Sequence, residues 1–450
     1  MSIDQRKKSF QHKFQNHSLA EFDSILSDEE IFGLCDILGH EWRESPLTPA
    51  VVVRSLVYRS LHPDKAIRHV VEALIAQGLL NQAEDVSDSG WCQARSRLPE
   101  TIFPALVTNS LKKALPRFGI ERRSFGREVY IVDGSTVSMP DEEDLVNAFG
   151  YIKGKHGNSR FPVARLVALL HAGTHLIADW RLAPNLTSEL KLFRELLSSI
   201  PPHSIWVGDV YFSTFPDFTF SLRAGVDWVT RLHWRRDPKK LIKTGKRLGK
   251  NDWLVTLEVS DPTRRAHADQ DLPPSISVRL IRYPYRHRGA WKILWLVTSL
   301  LDPKQYPRDE IIALYGLRWG IETHYSYLKT TLELSVLRSK TAKNIRLETG
   351  AIMLAHNLVW MLMHEAGEAA EVPVERISFK GTIQTVLAHA ECLRNATPNQ
   401  RPHRYGAMLR RIAKHRNRHR PGRHEPRLIK RETVRFGYLR TSRKEARRVA

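Results

Sequence analysis

The chain has 450 residues, 42% hydrophobic and 9% aromatic, long enough for two or three domains and too apolar for a disordered protein. Its net charge of +22 and pI near 10.0 predict a surface that attracts polyanions. Nucleic acid fits better than an anionic membrane, because no apolar run approaches the roughly 18–20 residues of a membrane span and MSIDQRKKSF lacks the apolar core of a signal peptide. The three cysteines, Cys35, Cys92 and Cys392, make neither a disulfide framework nor a CxxC metal site, as expected in a reducing cytoplasm.

Residues 1–125 predict an all-α N-terminal domain. Leu19–Leu38 has helical apolar spacing. Thr48 caps a helix with Pro49 at its first position that runs through Leu61, and Asp64 opens another through Ala76. Ser87–Arg97 then leads into Pro99–Leu115. This segment is either a plain helical bundle or a helix-turn-helix-like DNA reader, with Arg95 and Arg97 near phosphates or base edges.

From Glu128 the period changes, and segment 126–233 predicts strands. Val129–Val132 ends in Asp133-Gly134-Ser135, and Phe161–Leu170 with His175–Leu182 forms a hairpin. Ser188–Ile200 is a helix, Ile205–Val207 a strand ending in Gly208-Asp209, Phe215–Ala224 a helix and Trp228–Leu232 a strand. That order makes a mixed α/β sheet with helices on its faces.

Residues 234–305 predict a β-rich insertion. The basic loop His233–Lys250 carries eight Lys/Arg against one Asp, and strand-like runs follow at Trp253–Val259, Ser277–Ile281 and Trp291–Thr298. A glutamate-bearing helix occupies 306–345, and Ile345–Glu365 and Ile377–Leu393 are amphipathic helices reaching to residue 400. Residues 401–450 hold 18 Lys/Arg and 3 Glu and predict a flexible basic tail, with Arg416–Arg427 as an arm for a polyanion.

Read as one helix, Ile312–Lys329 places Tyr315, Arg318, Glu322, Tyr325 and Lys329 within an arc of roughly 80°. The apolar face beside them is Leu314, Leu317, Ile321 and Leu328. Alone, this strip could be a solvated Arg–Glu pair contributing about 0.3 kcal/mol. Asp133 and Asp209, each just past a buried strand, give it another meaning. With Glu322 they can converge at the carboxyl edge of the sheet and hold two divalent ions roughly 4 Å apart, the arrangement phosphodiester chemistry requires. Mg²⁺ suits such oxygen ligands. Arg318 and Lys329, with Tyr315, would grip phosphates beside them.

The spacing Tyr315-x2-Arg318-x3-Glu322-x6-Lys329 resembles the Tyr/Arg/Glu/Lys signature of bacterial DDE transposases of the insertion-sequence-four type. Asp133 after its strand, Asp209 after its own, a β insertion before the glutamate helix and Gln93–Leu98 in the helical N-terminal region extend the resemblance over most of residues 45–365. It implies a ribonuclease-H-like catalytic core with Asp133, Asp209 and Glu322 as catalytic metal ligands, two Mg²⁺ ions (Mn²⁺ substituting), and cut-and-paste transposition through a DNA hairpin. Trp319 matches the tryptophan that follows the signature arginine. A tryptophan of the insertion stacks a flipped base in such enzymes, which makes Trp253, Trp291 and Trp295 candidates. Val210 stands where a basic residue commonly follows the second aspartate. The implied partners are double-stranded element ends and target DNA, bound by a homodimer in a synaptic complex on the nucleoid. The alternatives are a non-catalytic DNA binder descended from such an enzyme and another ribonuclease-H-like nuclease.

Overall fold

The computed structural model describes residues 26–43, 45–76, 86–119, 124–154, 157–287 and 290–417. Helices α1 (Asp28–Ile37), α2 (Pro49–Leu61), α3 (Ile67–Ala76), α4 (Asp88–Arg97) and α5 (Ile102–Ala114) come first. Their starts follow from their caps: Thr48 Oγ1 accepts from Val51 N at 3.3 Å, and Ser87 Oγ accepts from Gly90 N at 3.0 Å. The helix expected from Leu19 begins outside the described residues, which show it from Asp28.

Strands β1 (Val129–Ser138), β2 (Val163–His171), β3 (Ile177–Pro184), β4 (Ile205–Val207) and β5 (Asp227–Arg231) lie in the order β3-β2-β1-β4-β5. The first three pair antiparallel, and β4 and β5 run parallel to β1. This is the ribonuclease-H-like sheet. A short helix, α6 (Glu143–Phe149), follows β1. Alternate side chains of the strands face opposite ways. Trp206 and Trp228 point toward α7 (Glu189–Leu196) and α8 (Phe215–Arg223), where Phe193 meets Trp206 edge-on at 4.7 Å and Phe218 stacks on Trp228 at 4.6 Å. Val129, Ile205, Val207 and Val229 pack on the other face against Ile311, Leu314 and Tyr315.

The insertion is richer than expected. It contains α9 (Pro238–Thr244), β6 (Lys246–Gly249), β7 (Asp252–Glu258), α10 (Asp261–Ala266), β8 (Ser275–His287) and β9 (Ala290–Thr298). The basic stretch His233–Lys250 is therefore not all loop: Asp237 Oδ1 accepts from Lys239 N at 2.9 Å and starts α9 there. Strand β9 pairs antiparallel with β5, so these strands continue the central sheet as β5-β9-β8-β7-β6. Fully buried Arg279 locks this extension. It donates to both oxygens of Asp252, at 2.9 and 2.6 Å, and to the carbonyl of Tyr306 at 2.6 Å.

Helices α11 (Arg308–Gly316) and α12 (Arg318–Ser326), a π-turn over Tyr327–Thr331, α13 (Ala342–Ala370), α14 (Phe379–Arg394) and α15 (Arg401–Lys414) complete the described chain. The largely buried α13 joins the early helices to the sheet through Asn357. Its Oδ1 accepts from Ile177 N at 2.8 Å, and its Nδ2 donates to Ser110 Oγ on α5 and to Ile177 O, both at 2.9 Å. Residues 401–414 do not belong to a flexible tail. Tyr405, Met408, Leu409 and Ile412 recur at helical spacing and are buried, and this stripe packs the basic helix. Of the expected arm, only Arg416 and Asn417 fall within the described residues. Among those residues no helix is long and apolar enough to cross a membrane.

Candidate active site

Strands β1 and β4 bring the first two carboxylates together by register. Val129 pairs with Ile205, Tyr130 with Trp206 and Ile131 with Val207. Asp133 and Asp209 stand two residues past the last of these pairs, Asp133 within β1 and Asp209 in the turn after β4, close enough for the charge of Asp209 to be felt at Asp133. Asp133 does not end its strand as expected. Its antiparallel pairing with β2 continues through Ser138, so Asp133 sits inside β1, beyond the point where β4 has stopped. Gly208 lets β4 end tightly here, since a side-chain carbon on it would lie 3.0 Å from both Trp206 and Val132. Asp209 Oδ1 accepts from Tyr211 N at 2.7 Å and fixes the turn that follows.

Burial, then the charges of Asp209 and Glu189, raise the Asp133 carboxyl to about 6, against the opposing pull of the Gly134 N–H and Arg318. An oxygen donor whose negative charge is this poorly accommodated suits a divalent cation. The chemistry of the set, two carboxylates at a sheet edge with a third nearby, matches the preference of Mg²⁺.

The expected single helix Ile312–Lys329 is interrupted. Leu317 N bonds Leu314 O at 3.1 Å and Gly320 N bonds Leu317 O at 2.8 Å, a tightened junction between α11 and α12. The apolar face therefore divides. Leu314 packs on one side of the sheet and Ile321 and Leu328 on the other, while Leu317 is 42% exposed and docks nothing. The break leaves α12 crossing β1, where the Tyr325 hydroxyl donates to the Asp133 carbonyl at 2.7 Å.

Arg318 donates from Nη2 to Glu322 Oε1 at 3.0 Å and lies 5.2 Å from the Trp319 ring. Buried Tyr315 feels Arg318 directly: burial raises its phenol to about 12, and the charge of Arg318 and a hydrogen bond with it oppose the rise. Lys329, on the π-turn, is within reach of Asp133, whose charge opposes the lowering of its ammonium by burial. The structure thus gathers Asp133, Asp209, Tyr315, Arg318 and Lys329 around one edge, with Glu322 turned to Arg318. Among the described residues no three His, Cys, Asp or Glu side chains converge closely enough to hold a metal ion as a group.

The tryptophans separate. Trp291 is 74% exposed and Trp319 is also open, whereas Trp253 and Trp295 are half-buried with ring centres 5.9 Å apart. Trp234, not marked by the sequence, is exposed just past β5 and stacks on His233 at 4.0 Å. Arg95 is removed from the DNA-facing set because it is only 7% exposed. Its guanidinium covers Trp91 at 5.2 Å and Nη1 reaches Ser339 Oγ at 3.5 Å. Arg97 keeps an exposed side chain. Glu189 also went unmarked, since an acid in the first turn of a helix is an ordinary partner of the helix dipole.

A family model described as the transposase DDE domain matches residues 124–358, more than half of the chain and all three acids of the proposed triad. The chain is 26% identical over 326 residues to the transposase InsG for insertion sequence element IS4 of Escherichia coli (strain K12), covering 70% of each. It is 28% identical over 178 residues to the putative transposase InsZ of the same organism, covering 37% of this chain and 58% of InsZ. With Asp133 in β1 and Asp209 just past β4 of a ribonuclease-H-like sheet and Glu322 on the helix that crosses β1, the chain belongs to the DDE transposases, of the insertion-sequence-four type.

Proposed function

We propose that this transposase binds the terminal inverted repeats of its element and excises it by cut-and-paste: hydrolysis, hairpin formation and strand transfer at one site. The observation that supports this reading is the parallel pairing of β1 with β4 up to Ile131 and Val207, two residues before Asp133 and Asp209, with Arg318 and Lys329 within electrostatic reach of Asp133. Asp133, Asp209 and Glu322 would hold two Mg²⁺ ions, or Mn²⁺ in their place. When bound, such ions activate a water or 3′-hydroxyl and stabilise the leaving oxygen. The protein's own groups do the positioning. Lys329 and Arg318 hold DNA phosphates, and Tyr315 orients Arg318 from beneath. A phosphate arriving at Arg318 competes with Glu322 for the guanidinium and releases that carboxylate toward the aspartates.

Segment 1–125 and the basic residues after 400 supply most of the phosphate contacts to the repeats, and 126–233 with 306–345 forms the catalytic core. Residues 234–305 offer Trp291 to a displaced base, and 346–400 braces the core. The working form is a homodimer joining two element ends in the cytoplasm, on the nucleoid.

Alanine at Asp133, Asp209 or Glu322 should abolish Mg²⁺-dependent cleavage of a duplex carrying the element ends while leaving end binding in place, because phosphate contacts dominate affinity. An Asp209→Ala protein that still cleaves would overturn the assignment.

A further inference from the structure

Glu189 stands at the active site without a role in the signature. It opens α7, with Ser188 Oγ capping the helix by accepting from Leu190 N at 3.1 Å. From there its carboxylate reaches β1. A side-chain carbon on Gly134 would lie only 2.5 Å from Glu189 Oε2 and 2.8 Å from Oε1, so the carboxyl group rests on the bare α-carbon of the residue after Asp133. The backbone of Gly134 is not in the left-handed region, so glycine here gives room to the Glu189 carboxylate and serves no special conformation. Arg165 on β2 forms an ion pair with Glu189 from the other side. Arg165 is itself fixed by Nε donating to Asn185 O at 3.1 Å. The charge of Glu189 is felt both by Asp133 and by Tyr325, whose hydroxyl holds the Asp133 carbonyl.

We infer that Glu189 is a positioning residue of the transposase reaction: its carboxylate, paired with Arg165 and resting on Gly134, packs against β1 next to Asp133 and adds a negative charge beside the two aspartates. The inference rests on Asp133 and Asp209 being the cation ligands. Tyr325 bonds the main chain at Asp133 and Glu189 packs on it one residue later, so the segment that carries the first catalytic acid is contacted from two helices. The bare α-carbon at position 134 is what admits the second of these contacts.

The test is calorimetric titration of the full chain with Mn²⁺, without DNA, alongside thermal melting. Glu189→Gln keeps the volume and loses the charge, and is expected to weaken Mn²⁺ binding about tenfold, as loss of an outer partner of metal ligands typically does. Its melting midpoint should stay within about 2 °C. Glu189→Asp should recover part of the affinity. Gly134→Ala, which leaves every charge in place, should weaken binding comparably by displacing the Glu189 carboxylate, and it supplies the test if Glu189→Gln does not fold. Wild-type Mn²⁺ affinity in Glu189→Gln or in Gly134→Ala, with binding lost in Asp209→Ala, would overturn the role of Glu189 and leave the aspartates as ligands. Binding that survives in Asp209→Ala would instead overturn the cation site itself.

Discussion

The Tyr325 hydroxyl donates to the main-chain carbonyl of Asp133 across 2.7 Å, a direct bond between the helix that carries Glu322 and the strand that carries the first acid. Tyr325 is buried and its bond to the half-buried Asp133 couples the positions of two residues 192 apart in the chain. Tyr325→Phe leaves the ring and removes the donor. The expected cost is about 1 kcal/mol of stability, read as a fall of roughly 1 °C in melting midpoint for a chain of this length. Cleavage should fall further than that loss accounts for, because small displacements of catalytic groups are costly. Cleavage at the wild-type rate would show that α12 finds its place on β1 without this bond.

The sheet extension supplies a second expectation. Arg279 and Asp252 form a fully buried bidentate pair, and Arg279 also satisfies the carbonyl of Tyr306 just before α11. Arg279→Ala strands a buried carboxylate and should destabilise the fold by about 3–5 kcal/mol. Replacing both partners together, Arg279→Met with Asp252→Leu, should recover much of that loss. Chemical denaturation of the three proteins decides it, and a double variant no better than Arg279→Ala would place the stability in the carbonyl contacts instead.

What could be read from the sequence follows its local signals. Thr48 and Ser188 announced their helices because a cap is a local bond, and Ile205–Val207 was visible as a short apolar run closed by Gly208-Asp209. The aspartate pair was legible as two acids after buried strands, but its register was not, since which strands pair is a long-range outcome. For the same reason the insertion strands gave no sign that they would continue the central sheet through β5. The break at Leu317 hides because Ile312–Lys329 keeps an acceptable helical pattern throughout, and only the sheet's two faces make Leu314 and Ile321 diverge. Arg95 reads as a surface cation in any window of sequence, and its burial against Trp91 depends on α13 and Ser339, some 240 residues away. Glu189 lies beyond that reach too, because its contact with Gly134 requires α7 to dock on β2 and β3 first.

Lys65 gives a pH-dependent expectation. It is buried, with Nζ donating to Ser60 O at 2.6 Å, and burial above all lowers its ammonium from 10.5 to about 8, with Glu333 opposing and Arg59 adding to the fall. A folded pKa below the unfolded one means the unfolded chain binds more protons between about pH 8 and 10.5, so stability from this group rises with pH across that window and is lost as pH falls from about 10.5 to about 8. The size is at most ~3 kcal/mol, from a shift of about 2.5 pH units at 1.36 kcal/mol each. Denaturation midpoints of the wild type and Lys65→Met, measured from pH 7 to 10.5, should converge or cross toward the wild type as pH rises. Parallel curves would mean that the Lys65 ammonium is not penalised in the fold.

The tryptophans of the insertion divide structure from substrate. Trp253 and Trp295 pack on one another and against the core, so Trp253→Ala should destabilise the protein by roughly 2–4 kcal/mol through lost burial. Trp291, 74% exposed on β9, has little to lose: Trp291→Ala should move stability by less than about 0.5 kcal/mol. If an exposed ring in this segment serves to stack a displaced base, Trp291→Ala should impair hairpin formation while first-strand nicking continues, and Trp291→Phe should restore part of it, because stacking requires only a flat aromatic face. Hairpin yield and nicking, followed separately on an end-labelled duplex, distinguish the cases. Unchanged hairpin yield in Trp291→Ala would move the stacking role to Trp234 or Trp319, the other open rings of this chain's described residues named above.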